Sequence, residues 1–257
     1  MFINNFDPVA FQILSLEIRW YSLAYIMGII LGWTYCKKKL ITDQHILGLF
    51  DDFITYAVIG IILGGRLGYA IFYNLKYYLE NPLEIMMIWN GGMSFHGGLI
   101  GVILATQLFT NKHKVNQFLF LDLVALSAPI GIFFGRIANF INSELIGRAT
   151  NLPWSVQFVS IDNIKRHPSQ LYEAFFEGIV LFLLLGYFFR KNYLQSPGKI
   201  SALFLIFYSL FRFFAEFFRS PDIQIGYLFF NLTFGQLMSI LFLSAGALLF
   251  YFKNNEK

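Results

Sequence analysis

The sequence predicts an all-α polytopic membrane protein, with seven transmembrane helices and a small external head. Three observations carry the prediction. Of the 257 residues, 57% are hydrophobic and only 13% charged, whereas soluble domains carry about 25% charged residues. The mean hydropathy is +0.59. Apolar segments recur at membrane length, near the roughly 20 residues that a helix needs to cross the hydrocarbon core, and the lysines collect in alternate connections.

The segments fall at 20–36, 53–72, 93–109, 118–140, 173–189, 200–217 and 228–252. Lys37, Lys38 and Lys39, then Lys112 and Lys114, then Arg190, Lys191 and Lys199, and finally Lys253 and Lys257 lie on one side. Lysine-rich loops stay in the cytoplasm, so seven spans place the N-terminus outside and the C-terminus inside. The net charge of +4 thus reports membrane orientation and no affinity for nucleic acid. The N-terminal stretch lacks a basic n-region and carries Asp7 and Glu17, so it does not read as a cleaved signal peptide. Residues 1–257 read as a single integral membrane domain. Between the fourth and fifth spans, 141–172 holds turn formers, two prolines and the alternating "WSVQFVS". That composition predicts a small ordered head with a short strand, packed around Trp154, Phe158 and Val159.

Ionisable residues inside the spans are costly, at least about 2.5 kcal/mol each at mid-bilayer, and they mark the places to examine. At the first span, Arg19, Trp20 and Tyr21 read most simply as an interfacial belt with a snorkelling arginine. Arg66 sits among Gly64, Gly65 and Gly68; snorkelling explains it, while the glycines suggest close helix approach that would turn it inward. His96 lies between two Gly-Gly pairs. A structural histidine and a functional one stand level there, the second because imidazole moves protons near neutral pH.

The fourth place is "GRIANFINSELIGR", from Gly135 to Arg148. Arg136, Asn139 and Ser143 follow i, i+3, i+7 spacing, so they form one donor-rich strip if the helix continues; a helix end dissolving into the headgroup layer is the plainer alternative. In the last place, Tyr208, Arg212 and Glu216 repeat every four residues, and Arg212 and Glu216 can pair within the helix. Arg219 and Asp222 lie further out, at the interface. Asp122, near the other end of its span, reads as structural. One cysteine, Cys36, excludes an internal disulfide, and His45, His96, His113 and His167 stand too far apart for a metal site. The polar groups share the outer half of the bilayer, which suits an anionic, amphiphilic ligand; arginine binds phosphate bidentately, so a phospholipid fits.

These stretches, together with "RWYSLAY", "GGRLGYAIFY", "GGMSFHGGLIG", "RHPSQLYEAFFEG" and "FRFFAEFFRSPD", resemble the bacterial prolipoprotein diacylglyceryl transferases in content and order. The resemblance implies transfer of the sn-1,2-diacylglyceryl group of phosphatidylglycerol to the lipobox cysteine thiol of prolipoprotein signal peptides, releasing glycerol 1-phosphate. It implies an enzyme of the bacterial inner membrane that uses no cofactor. It further implies that Arg136 and Arg212 serve activity and lipid binding, His96 activity, and Tyr21, Asn139, Glu144, Gly147 and Glu216 the same site; Arg66 is grouped with the lipid-binding residues. Within that chemistry Arg136 would clamp phosphate, Arg212 would be oriented by Glu216, and His96 would accept or relay the thiol proton. A transporter and a non-catalytic lipid-binding protein are the rival readings, and a diacylglyceryl adduct on a peptide cysteine would separate them from the enzyme.

Overall fold

The computed structural model describes residues 2–14, 16–88, 91–221 and 226–255. Asp222 and Lys257, assigned above to the two membrane edges, lie outside the described residues. The chain divides into two compact units, 37–121 and a larger one built from 1–36 and 122–257.

In the smaller unit, α2 (Gln44–Phe72) and α4 (Phe95–His113) are joined through the short α3 (Leu75–Glu80) and a 3-10 turn at Pro82–Met86. Asp43 caps α2 by accepting from the backbone N–H of His45 at 2.8 Å, a stabilising use of a short acidic side chain. The two helices meet along a glycine seam. A Cβ at Gly64 would fall on the Gly97 carbonyl, one at Gly101 on the Gly60 carbonyl, and one at Gly68 within 2.6 Å of the Gly97 Cα. Spaced four apart, Gly60, Gly64 and Gly68 let the backbones touch, which is how apolar helices associate where lipid supplies no hydrophobic drive. Beyond the seam Phe53 packs edge-on against Phe109 and Phe120 at 5.4 and 4.8 Å.

In the larger unit, α1 (Trp20–Tyr35) runs into a π-helical turn, Cys36–Leu40, and crosses α5 (Gln117–Ile141) where Gly28 abuts Gly131. Next, α6 (Ser169–Glu173), a π-helical stretch Ala174–Val180 and α7 (Leu181–Arg190) follow one another directly; α8 (Lys199–Ala215) and α9 (Phe234–Asn255) complete the unit. Asp122 is structural, as expected: fully buried, it accepts from the Gly198 and Ser201 N–H groups at 2.8 and 2.7 Å and from the Ser201 hydroxyl at 2.6 Å. It thereby satisfies donors at the start of α8 that the helix cannot satisfy itself.

Among the described residues, four helices are long and apolar enough to cross a membrane: Gln44–Phe72, Gln117–Ile141, Ser169–Arg190 and Phe234–Asn255. Shorter helices, α1, α4 and α8, occupy the other three apolar segments. The fold is mostly helical and not purely so. The expected strand is β4 (Val156–Phe158), flanked in a three-stranded sheet by β1 (Phe2–Asn4), parallel to it, and β5 (Lys165–Arg166), antiparallel. A separate hairpin joins β2 (Val9–Ile13) to β3 (Leu16–Arg19). The sheet packs on Phe140, Val156 and Phe158, with Ile146 and Leu171 beside them. Trp154 and Val159, expected in this core, are exposed instead. The Trp154 indole N–H donates to the Tyr172 hydroxyl at 2.7 Å, which holds its ring at the rim, and Val159 lies just past the strand.

The seam makes a stability prediction. Gly64→Ala forces a methyl onto the Gly97 carbonyl and should cost about 1–3 kcal/mol through overpacking. Gly186→Ala on α7, where nothing lies within 4 Å of the new methyl, should gain up to about 1 kcal/mol from helix propensity. Thermal unfolding of the two variants in detergent should therefore move in opposite directions.

A candidate anion site over buried carboxylates

Arg136 lies near the end of α5, Arg212 near the end of α8, and between them the α6 helix and its π-helical continuation present Glu173 and Glu177. Single-turn π segments recur at functional sites because the extra residue re-aims side chains. Arg136 Nε stands 2.8 Å from Glu173 Oε2, and its Nη2 donates to Glu177 Oε2 at 3.2 Å. Arg212 Nη1 stands 3.0 Å from Glu173 Oε1, and its Nη2 is 2.7 Å from Glu216 Oε2. Glu173 therefore bridges two guanidiniums, one oxygen to each. Thr233 donates its hydroxyl to the second Glu216 oxygen at 3.1 Å, and a Cβ at Gly235 would fall 2.8 Å from that carboxylate, so glycine leaves room for the group. Arg219, also buried, lies within electrostatic reach of Glu173 and Glu216.

Three arginines thus face three glutamates, but they are not equally hidden. The Glu173 and Glu177 side chains are 0% exposed, while those of Arg136 and Arg212 retain 16% and 12%. The carboxylates form a sealed floor, and the Arg136 and Arg212 side chains above them keep a small exposed fraction. The pairing is close without being fully directed: both Glu173 oxygens, Glu177 Oε1 and Arg212 Nη1 lack a well-aligned hydrogen bond. Buried groups in that condition are costly, and of these four only Arg212 Nη1 is a donor of the kind a phosphate oxygen satisfies; the three carboxylate oxygens call for donors.

The end of α5 corrects the expected strip. Helix α5 stops at Ile141, and Ser143 adopts a left-handed φ of 57°. Ser143 N–H donates to Phe140 O at 3.2 Å and Glu144 N–H to Asn139 O at 2.9 Å, the paired bonds of a Schellman turn. Ser143 is therefore buried in the turn and does not continue a helical face. Asn139 instead donates to Glu144 Oε2 at 2.9 Å, and the Glu144 carbonyl accepts from Gln170 at 2.5 Å.

Gly147 lies where three segments converge. Arg148 N–H bonds the Phe218 carbonyl and Ser220 N–H the Ile146 carbonyl on one side, and His167 N–H bonds the Arg148 carbonyl on the other. A Cβ at Gly147 would strike the His167 carbonyl. Arg148 Nε donates to the Arg219 carbonyl at 2.9 Å, so this strip ties the 141–172 region to the end of α8. Away from the helices, Arg166 beside Asp162 holds that carboxyl below its usual range, and burial lowers the His167 imidazole.

The larger unit brings Arg136, Asn139, Glu144, Gly147, Arg212 and Glu216 into this connected network, with the Tyr21 phenol in electrostatic reach of Glu144 and Arg136. Arg66 and His96 belong to the smaller unit. Arg66 is buried and turned inward, its Nε and both terminal nitrogens donating to the carbonyls of Glu84, Ile85, Met87, Gly91 and Gly92. That arginine is engaged in holding the loop between α3 and α4. His96 lies half-buried in the first turn of α4, behind the Ser94 cap. Glu173 and Glu177 were not singled out by sequence. The signal was present, since "EAFFE" sets two carboxylates four apart inside an apolar segment.

Residues 8–252 match the family of prolipoprotein diacylglyceryl transferases. Among its relatives, the phosphatidylglycerol–prolipoprotein diacylglyceryl transferase of Azospirillum brasilense is 52% identical over 239 residues, covering 91% of this chain and 89% of its own. The proteins of that name from Rickettsia bellii (strain OSU 85-389) and Rickettsia typhi (strain ATCC VR-144 / Wilmington) are each 50% identical. They cover 96% and 97% of this chain, and 95% and 97% of their own.

Two turn substitutions should diverge. Gly147→Ala should expose 141–172 to limited proteolysis, because the new methyl displaces the His167 backbone. Ser143→Gly relieves a left-handed residue at a cost otherwise of about 1 kcal/mol, and should leave the proteolysis rate unchanged or slower.

Proposed function

This chain belongs to the prolipoprotein diacylglyceryl transferase family, and on that premise we propose that it transfers the sn-1,2-diacylglyceryl group of phosphatidylglycerol to the lipobox cysteine thiol of a prolipoprotein. Glycerol 1-phosphate leaves, and the reaction is the first step of bacterial lipoprotein maturation. Our reading of its setting is a bacterial inner membrane crossed by seven helices of one domain, with 141–172 as a periplasmic head, the N-terminus outside and the C-terminus in the cytoplasm. The alternation of lysine-rich connections supports that orientation.

The observation that carries the function is the arginine edge above buried carboxylates. In the reaction a carbon–oxygen bond at the glycerol carbon next to phosphate breaks as a carbon–sulfur bond forms. The thiol loses a proton and the departing phosphate gains charge. Arg136 and Arg212 meet that charge where it develops, which is where fixed cations lower a barrier most. Glu173 and Glu177 fix the Arg136 guanidinium, and Glu173 with Glu216 fixes that of Arg212, so neither must reorganise as the phosphate leaves. Asn139, Glu144, Gly147 and Tyr21 shape the neighbouring wall. His96 accepts or relays the thiol proton; its imidazole chemistry and its double-glycine frame support that role. Phosphatidylglycerol, the lipobox peptide and surrounding lipid are the partners, and nucleic acid has no part in the reading.

The test incubates the purified protein with phosphatidylglycerol and a lipobox peptide and follows the cysteine by mass spectrometry. A diacylglyceryl adduct, absent with a Cys-to-Ser peptide, is expected; lipid binding without any adduct would favour a non-catalytic lipid-binding protein. Arg136→Ala should lower kcat/KM by about a hundredfold or more and weaken phosphatidylglycerol binding. His96→Gln should reduce turnover while lipid binding persists, and undiminished turnover would assign the proton to another group.

A further inference from the structure

Beside the 141–172 sheet lies an open apolar groove of about 610 Å³, lined chiefly by Phe2, Phe6, Phe140, Trp154, Leu171 and Tyr172. Phe2, Phe6 and Trp154 are exposed, though a small sheet with its own core at Phe140, Val156 and Phe158 does not need them to fold. Large aromatics held in a contiguous exposed patch mark an interaction surface. We propose that this groove receives the extended stretch of prolipoprotein that follows the lipobox cysteine, a reading that rests on the transfer reaction above.

Two observations choose a polypeptide over other occupants. The first is reach. Phe140 stands one helical turn beyond Arg136 on α5, about 6 Å at 1.5 Å per residue, and Tyr172 immediately precedes Glu173. An extended chain advances about 3.3 Å per residue, so a peptide whose thiol lies at the arginine edge enters the groove two to four residues later. The second is hydrogen bonding. β1 is the outermost strand in the order β1-β4-β5, and no strand pairs with its outer edge among the described residues. Phe2 N–H and the Asn4 carbonyl bond the β4 side, so by strand alternation the Ile3 peptide groups turn the other way. Phe2, on that edge strand, and Phe6, just past its end, line the groove, and an edge strand carrying aromatic side chains fits an extended backbone. A hydrocarbon tail has no use for the edge. The polar rim is already satisfied, with Trp154 donating to the Tyr172 hydroxyl and that hydroxyl 3.3 Å from His167 Nδ1, so an occupant displaces no buried bond there.

The experiment uses the full chain with phosphatidylglycerol and two lipobox peptides, one ending at the residue after the cysteine and one continuing for six more. The wild type should show a KM about tenfold lower for the longer peptide. Phe6→Ala and Trp154→Ala should abolish that preference while leaving unchanged the KM of the short peptide and the KM of phosphatidylglycerol, a split that general unfolding would not produce. Adduct formation with equal KM for both peptides in the wild type overturns the groove while keeping the transferase; absence of adduct with either peptide overturns both. A photo-crosslinking benzoylphenylalanine at position 6 should capture the longer peptide. Capture of phosphatidylglycerol in its place would overturn the proposal in favour of an acyl-chain channel.

Discussion

Everything at the candidate site depends on keeping two guanidiniums charged and fixed inside a largely apolar helical protein. An arginine cannot shed its proton in a protein, so it must be compensated where it stands. Glu173 does this for both Arg136 and Arg212, at 2.8 and 3.0 Å, and Glu177 and Glu216 complete the balance. Removing one member of such a buried pair typically costs about 3–5 kcal/mol, because the partner stays buried and uncompensated. Replacing the whole group by apolar side chains would often be neutral or better, so the cluster is expensive as architecture and more intelligible as a device for binding. A floor of carboxylates beneath the arginines holds the guanidiniums in place as directed donors, with three arginines balanced by three glutamates.

The surrounding structure follows from positioning those arginines. α5 must end just beyond Arg136, and the Schellman turn at Ser143 ends it. The chain then crosses at Gly147, where only a hydrogen fits against His167, and Arg148 ties that crossing to the carbonyl of Arg219. In the smaller unit the Gly60, Gly64 and Gly68 seam and the Arg66 grip on five carbonyls perform the analogous task for the loop that leads to His96. Packing in both units is achieved by small residues, as expected for helices whose neighbours are as apolar as lipid.

Much of this was legible from local pattern. Apolar runs located every long helix, the glycine triplet at Gly64 to Gly68 announced close approach, and four-residue spacing announced the Arg212–Glu216 pair. What stayed hidden is what single-sequence pattern cannot encode. Glu173 and Glu177 find their arginines across 35 to 41 positions, and inside an apolar span they read as its first turns. β1 is three residues long, with a partner more than 150 positions away. The strip through Ser143 failed because periodicity presumes that the helix continues, and serine in the left-handed region gives none of the warning that glycine would. The bulk of Trp154 predicts a core position, whereas its indole N–H bonds the Tyr172 hydroxyl at the rim.

The central claim is that Glu173 and Arg136 act as one element in receiving the phosphate. A double-mutant cycle on phosphatidylglycerol affinity, using Arg136→Gln, Glu173→Gln and the pair, measures this directly. Coupling of about 1 kcal/mol or more is expected, with the double variant binding no worse than the weaker single one. Strictly additive losses, or a Glu173→Gln protein that binds lipid as the wild type does, would contradict the account.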